Sequence, residues 1–303
     1  MIGRLLALTL AGAVVLAGCT SAQSEADQPL VVATTTIVGD LVEQVGHGTM
    51  QLEVLMPIGA DPHSFQPSAR QAADLHDADL IVSSGLGLEQ GLVDTLASAR
   101  AHGVPILELG AMLGPHSMGD DDDTGLDPHW WLDPNRAAAA LDLIAERLSA
   151  ESNDPTLCLK LAPRTEAART SLWGLGQQMT NALWRVPPEH RRLYTSQDEL
   201  RYFAERFDFE IGGVITDGAI TGTRPDADRL ASMADTMQAD GIHAIFTDST
   251  VSADLAEALA AESGKETEVV ALHLCSLGEP GSGAETYVEM MWTIADRVAE
   301  ALT

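Results

Sequence analysis

The sequence is poor in positive charge. It holds 17 lysine and arginine residues against 45 aspartate and glutamate residues, its only lysines are Lys160 and Lys265, and the formal net charge is −28 at pH 7. So acidic a surface repels phosphate backbones, which argues strongly against nucleic acid as a partner. It attracts cations, although solubility or adaptation to salt explains the imbalance more simply.

Long apolar runs are also scarce. After residue 18 no segment is apolar and long enough to span a bilayer, whereas Arg4 followed by the apolar run 5–16 is typical of an export signal over residues 1–18. The ending LAGC at 16–19 resembles the lipobox of bacterial lipoproteins, which implies a lipid on Cys19 and a tether over residues 19–28. The alternative is an ordinary signal peptide. We therefore expect an exported protein, lipid-anchored to the outer face of the cell membrane or periplasmic.

Cysteine is rare as well. Besides Cys19 the chain has only Cys158 and Cys275. Outside the reducing cytosol the default for two cysteines is a disulfide, so this pairing stays open at this point.

The body of the chain alternates strand-like and helix-like segments. Apolar residues make up 45% of 303 residues, enough for two packed domains. Predicted strands lie over 30–36, 51–56, 78–83, 105–109, 191–196, 211–216, 243–248 and 269–274. Predicted helices lie over 37–45, 69–76 (capped by Ser68), 89–100, 198–207, 225–239, 252–262 and 284–302. The pattern predicts an α/β fold of mainly parallel sheets flanked by helices.

A long helix is predicted between the two halves. Residues 154–185 carry no strand signal, and Pro163 must either start this helix or kink it. We therefore predict two α/β lobes, at 29–153 and 188–303, joined by a linker helix at 154–187.

The triplet Asp-Pro-His occurs twice, ending in His63 and in His129, and each copy follows a predicted strand. Ligands of open α/β sheets bind beyond the carboxyl ends of the strands, where Gln197 and Cys275 also fall. The four side chains predict a metal site in the cleft between the lobes. Asp61 and Asp127 are expected to shape the turns or to orient the imidazoles.

These motifs together identify a family resemblance. They are VVATTTIVGD at 31–40, MP at 56–57, DPHS at 61–64, ADLI at 78–81, GLGLE at 85–89, DPHWWLDP at 127–134, SLGEPG at 276–281 and TY at 286–287. The chain resembles the metal-binding substrate-binding lipoproteins of bacterial ABC importers, the zinc and manganese cluster known as solute-binding protein family 9. The resemblance implies two lobes joined by a rigid helix, no enzymatic activity, a lipid anchor in the membrane, and a permease with its ATPase as partners. We also expect a monomer.

The resemblance implies a ligand set from which this chain departs. Members use two histidines, matching His63 and His129, then His or Glu after a Thr-Ser pair, and Asp before Ser-Leu. Here Gln197 and Cys275 hold the last two positions, with His273 as a substitute ligand on the same strand face. The family pattern also places Cys158 far from the site, which argues against a disulfide.

The softer donor set ranks Zn²⁺ first as the transported ion, then copper, then Mn²⁺. One thiolate leaves a dication partly uncompensated, so Asp198, Glu199 or Asp217 is expected to supply charge. Copper handling, a zinc hydrolase and a site that no longer binds metal remain alternatives. The acidic loop 114–125, with four consecutive aspartates at 120–123, is either a cation-gathering loop or a solvated surface loop.

Overall fold

The computed structural model describes residues 28–118, 125–216, 227–264 and 266–303. The export signal, Cys19, the tether up to residue 27, the aspartates at 120–123 and Asp217 lie outside the described residues. Within these ranges no helix is both long enough and apolar enough to cross a membrane.

The first lobe is built on a parallel sheet. Its strands are β1 Leu30–Ala33, β2 Gln51–Val54, β3 Leu80–Ser83 and β4 Ile106–Glu108, in the order β2-β1-β3-β4. Its helices are α1 Thr36–Gly46, α2 Ala69–Asp74, α3 Val93–Ala101 and α4 Pro134–Glu151. The central strands β1 and β3 are almost entirely buried, as expected for a parallel sheet covered on both faces.

The second lobe repeats this arrangement. Its strands are β5 Arg192–Thr195, β6 Glu210–Val214, β7 Ala244–Asp248 and β8 Glu268–Leu272, in the order β6-β5-β7-β8, again parallel. Its helices are α6 Arg201–Phe207, α7 Ala227–Asp240, α8 Asp254–Ser263 and α9 Tyr287–Leu302. The predicted fold of two parallel sheets flanked by helices is confirmed.

The long helix α5, Leu157–Leu183, joins the lobes and has Pro163 inside it. It packs against α1 and α4 of the first lobe and against α9 of the second. One apolar core runs through both lobes and α5, and a smaller core covers the opposite face of the first sheet. The lobes are therefore joined by shared packing as well as by the chain.

The ends of several elements differ from the predicted bounds, and two of the differences have a clear physical cause. The first strand ends at Ala33 instead of continuing to Thr36, because the Thr35 hydroxyl accepts a hydrogen bond from Val38 N and starts α1. Helix α4 was not predicted, although Asp133 caps it and Pro134 occupies its first turn. By contrast, Ser68 forms the expected cap of α2 within a full capping box.

The Gly212-Gly213 pair, which weakens a strand prediction, lies inside β6. A Cβ on Gly212 would lie 2.7 Å from the Tyr194 ring, so glycine is required for that ring to pack on the strand.

Candidate metal centre

Four side chains converge at the carboxyl ends of the two sheets. His63 lies in the loop after β2, His129 follows β4, Glu199 follows β5, and Cys275 follows β8. One potential ligand atom from each lies within 4.8 Å of the others. Each lobe thus contributes two donors, and together they form a small pocket of nitrogen, oxygen and sulfur atoms.

His129 is held by its own Asp-Pro-His motif. Asp127 Oδ1 accepts hydrogen bonds from His129 N at 2.9 Å and from the ring Nδ1 at 2.8 Å. Burial would lower the pKa of His129, but the hydrogen bond to Asp127 and the charge of Asp127 outweigh it and raise the pKa. This carboxylate fixes the ring so that Nε2 faces the cluster, as outer-shell partners of metal-binding histidines commonly do.

His63 is held differently. Asp61 Oδ1 accepts a hydrogen bond from His63 N at 2.9 Å, and Asp61 Oδ2 accepts one from the Ser64 hydroxyl at 2.7 Å. These two bonds stabilise the turn and do not orient the His63 ring. The ring Nδ1 is buried and has no partner among the described residues. His63 Nε2 lies 3.3 Å from His129 Nε2. Burial and the nearby charge of His129 lower the pKa of His63 to about 4, so at neutral pH its nitrogen lone pair is free for a metal.

The second lobe supplies an acidic pair. The Cys275 thiol donates to Glu199 Oε1 at 3.6 Å, and both residues are buried. Burial and the charge of Asp248 raise the pKa of Glu199 to about 8. Burial and the charges of Glu199 and Asp248 raise the pKa of the Cys275 thiol well above its ordinary value. Without a cation, both groups therefore hold their protons at neutral pH.

Asp248 at the end of β7 also supports the loop that carries the thiol. Its Oδ1 accepts from Leu274 N at 2.9 Å and from Cys275 N at 3.4 Å. The position of the sulfur is therefore set by a buried carboxylate of the same lobe.

Gln197 and His273, two of the predicted donors, lie near the cluster but outside the converging group of histidine, glutamate and cysteine side chains. Gln197 is half-buried at the turn after β5. Its backbone carbonyl oxygen accepts hydrogen bonds from Thr195 Oγ1 at 2.6 Å and from Glu199 N at 3.1 Å. His273 Nδ1 lies 3.1 Å from Ser249 Oγ, and His273 is not in the converging group. The sequence named Glu199 only as a source of charge, whereas the structure places its carboxylate among the potential ligand atoms. Ligation by Gln197 stays a prediction.

Both remaining cysteines are free. Cys158 is exposed near the start of α5, whereas Cys275 is buried in the cluster. The disulfide alternative is therefore not realised, and the Cys275 sulfur remains available as a ligand.

Hydrogen bonds between the lobes lie directly beside the cluster. Trp131 Nε1 donates to Leu274 O at 2.8 Å, and Gly59 N donates to Ser276 Oγ at 2.8 Å. Leu274 and Ser276 flank Cys275 in sequence, while Gly59 and Trp131 belong to the segments that carry His63 and His129. The thiol loop is thus tied on each side to one histidine segment of the other lobe.

A family model described as the periplasmic zinc-uptake complex component A, ZnuA, matches residues 31–301. The chain belongs to this family. It is therefore a metal-binding substrate-binding protein of an ABC transporter and not an enzyme, which confirms the resemblance seen in the motifs.

The names of similar proteins mention different metals. The chain is 25% identical to the manganese-binding lipoprotein MntA of Halalkalibacterium halodurans, over 96% of this chain and 95% of that one. It is 26% identical to the zinc-binding protein TroA of Treponema pallidum, over 91% and 89% of the two chains. The solved structure of TroA superposes with a TM-score of 0.82 at 25% identity, covering 91% of this chain and 99% of TroA. A Mn-bound periplasmic protein of Candidatus Liberibacter asiaticus, at 23% identity and a TM-score of 0.79 over 91% and 100% of the chains, shares the fold. Family membership alone does not fix the metal.

Proposed function

We propose that the chain captures Zn²⁺ outside the cytoplasm and delivers it to an ABC permease. The observation that carries the proposal is the convergence of His63, His129, Glu199 and Cys275 within 4.8 Å. Zinc favours four ligands in a tetrahedron and accepts imidazole, thiolate and carboxylate together. Ionised Glu199 and Cys275 would balance the two charges of the ion.

The chemistry of the ligand atoms favours zinc over the other candidate metals. Mn²⁺ favours oxygen ligands and gains little from a thiolate, and this cluster offers a single carboxylate. Copper is the second candidate, because two histidines and a cysteine with a weak fourth ligand form a known type of copper site. Gln197, at the turn beside Glu199, would be that weak ligand in a copper-handling protein.

Delivery defines the proposed partners. These are the membrane permease and the ATPase of an importer, with the protein anchored by a lipid on Cys19 and acting as a monomer. No step of this function requires turnover of a substrate.

The test is metal analysis of protein purified without added metal, followed by competition among Zn²⁺, Mn²⁺ and Cu⁺. We expect about one zinc per chain, lost in Cys275→Ser and retained in Cys158→Ser, because Cys158 is an exposed free thiol outside the cluster. Retention of Mn²⁺ in the presence of equimolar Zn²⁺ would contradict the proposal. An intense visible thiolate band after Cu²⁺ loading, together with tighter binding of copper than of zinc, would favour the copper alternative.

A further inference from the structure

Tyr202 connects the second lobe to the histidine motif of the first. It lies in the first turn of α6, three residues after Glu199, and is 1% exposed. Its hydroxyl accepts from His116 N at 3.1 Å and donates to the carbonyl oxygen of Asp127 at 3.2 Å. A buried hydroxyl that both accepts and donates fixes its two partners relative to each other.

Tyr202 and His116 together hold the backbone of Asp127. Asp127 N donates to His116 O at 2.8 Å, while the Asp127 carbonyl accepts from Tyr202. With its backbone fixed on both sides, Asp127 directs its carboxylate at Nδ1 of His129. Tyr202, Asp127 and His129 are all at most 2% exposed, so no bulk solvent competes for these hydrogen bonds.

We infer that Tyr202 is a positioning residue for the metal ligand His129, acting from the opposite lobe through Asp127. This inference rests on the proposed function, because it assigns Tyr202 a role in metal affinity. Glu199 and Tyr202 lie three residues apart, so the segment that supplies one ligand also aligns a second one across the cleft.

The Tyr202 ring is itself held in place. The His116 ring stacks on the Tyr202 ring with centroids 4.5 Å apart. The Arg136 guanidinium lies over the Tyr202 ring, 4.7 Å from the ring centroid. His116 Nδ1 also lies 2.9 Å from Glu205 Oε2, one turn further along α6. Substitution by phenylalanine would keep these ring contacts and remove only the hydroxyl, which makes Tyr202→Phe a specific test.

The matched control is Tyr194→Phe. Tyr194 is also a fully buried tyrosine of the second lobe, and its hydroxyl donates to Asp240 Oδ2 at 2.6 Å, outside the metal cluster. Both variants lose one buried hydroxyl with a hydrogen bond to an aspartate. A merely structural effect would therefore lower folding stability in both variants and change metal affinity in neither.

The experiment uses the full chain and measures Zn²⁺ affinity by competition with a chromophoric chelator, and the visible spectrum of bound Co²⁺. We expect Tyr202→Phe to weaken Zn²⁺ binding by ~10–100-fold, as loss of an outer-shell partner does, and to shift the Co²⁺ bands. Tyr194→Phe should retain wild-type affinity and spectrum. In Asp127→Asn, adding Tyr202→Phe should cause little further loss, because both changes act through one chain of contacts.

Wild-type affinity in Tyr202→Phe would overturn the inference while leaving zinc binding intact. Full additivity with Asp127→Asn would equally overturn it, because Tyr202 would then act by another route. Absence of Zn²⁺ binding in the wild-type chain would instead refute the proposed function and, with it, this inference.

Discussion

Replacing Glu199 by glutamine tests the charge that the metal site must carry. The substitution preserves the shape of the side chain and removes the ability to ionise. In the metal-free protein Glu199 has a pKa of about 8, raised first by burial and then by the charge of Asp248, against an ordinary value of 4.5. At pH 7 roughly nine in ten folded copies are protonated, whereas the unfolded chain is ionised at this residue. The variant should therefore match the wild-type stability only below pH 4.5 and should already be more stable than the wild type by about 3 kcal/mol at pH 7.

The difference in stability grows as the pH rises above 4.5. A carboxyl whose pKa is higher in the folded state favours folding while protonated, and this contribution is lost as pH rises from 4.5 to about 8. The difference between these pKa values corresponds to about 5 kcal/mol, of which about 4 kcal/mol is lost between pH 5 and pH 9. Glu199→Gln cannot ionise, so its stability should fall by that much less over the same range.

Two assays check the reasoning. Urea denaturation with a chelator present, at pH 5, 7 and 9, gives the free energy of unfolding of both proteins. Chelator competition gives Zn²⁺ affinity, which should fall by more than ~100-fold in Glu199→Gln, because loss of a direct ligand exceeds loss of an outer-shell partner. Gln197→Ala is the comparison, because Gln197 is the other candidate for this ligand position, and its loss of affinity should be smaller. Parallel pH profiles, or a larger loss in Gln197→Ala than in Glu199→Gln, would refute the assignment of Glu199 as the oxygen ligand.

Two further predictions concern the thiol loop. In Cys275→Asp an oxygen ligand replaces sulfur, so the ratio of Mn²⁺ to Zn²⁺ affinity, measured by chelator competition, should shift toward Mn²⁺ by at least ~10-fold. An unchanged ratio would contradict ligation by Cys275. Trp131→Phe should lower the unfolding free energy of the metal-free protein by about 2–4 kcal/mol, measured by circular dichroism in urea, because Leu274 O loses its donor and a cavity forms where the indole packs. A loss below about 0.5 kcal/mol would show that the interlobe contact contributes little.

The sequence was sufficient to predict the fold and the proximity of the two histidines. Buried strands such as 80–83 stand out as β-branched, apolar runs between helical segments, and parallel topology follows from their alternation. His63 and His129 could be paired because each follows the same Asp-Pro lead-in at the end of a strand. Parallel strands bring such ends to one edge, and the structure places the two Nε2 atoms 3.3 Å apart.

The third donor could not be found in this way. Between β5 and α6 the chain makes a tight turn, in which neither a period of two nor one of 3.6 assigns directions to Gln197, Asp198 and Glu199. The turn is closed by Glu199 N donating to the backbone carbonyl of Gln197, and within it Glu199 lies in the converging group. Helix α4 had a readable signal, since Asp133 and Pro134 form a capped start, but this segment was interpreted only as part of a ligand motif.

Glu199 also resolves the charge problem posed by Cys275. A thiolate with two imidazoles and an amide would leave a buried dication with one uncompensated positive charge, which is costly in a low-dielectric site. With Glu199 present, a dication would displace one proton from the carboxyl and one from the thiol, and the two anionic ligands would balance the charge of the ion. The same exchange with a monovalent ion would leave one acid protonated and one ligand position weak. The protonated pair therefore favours divalent ions, and the sulfur then selects among them.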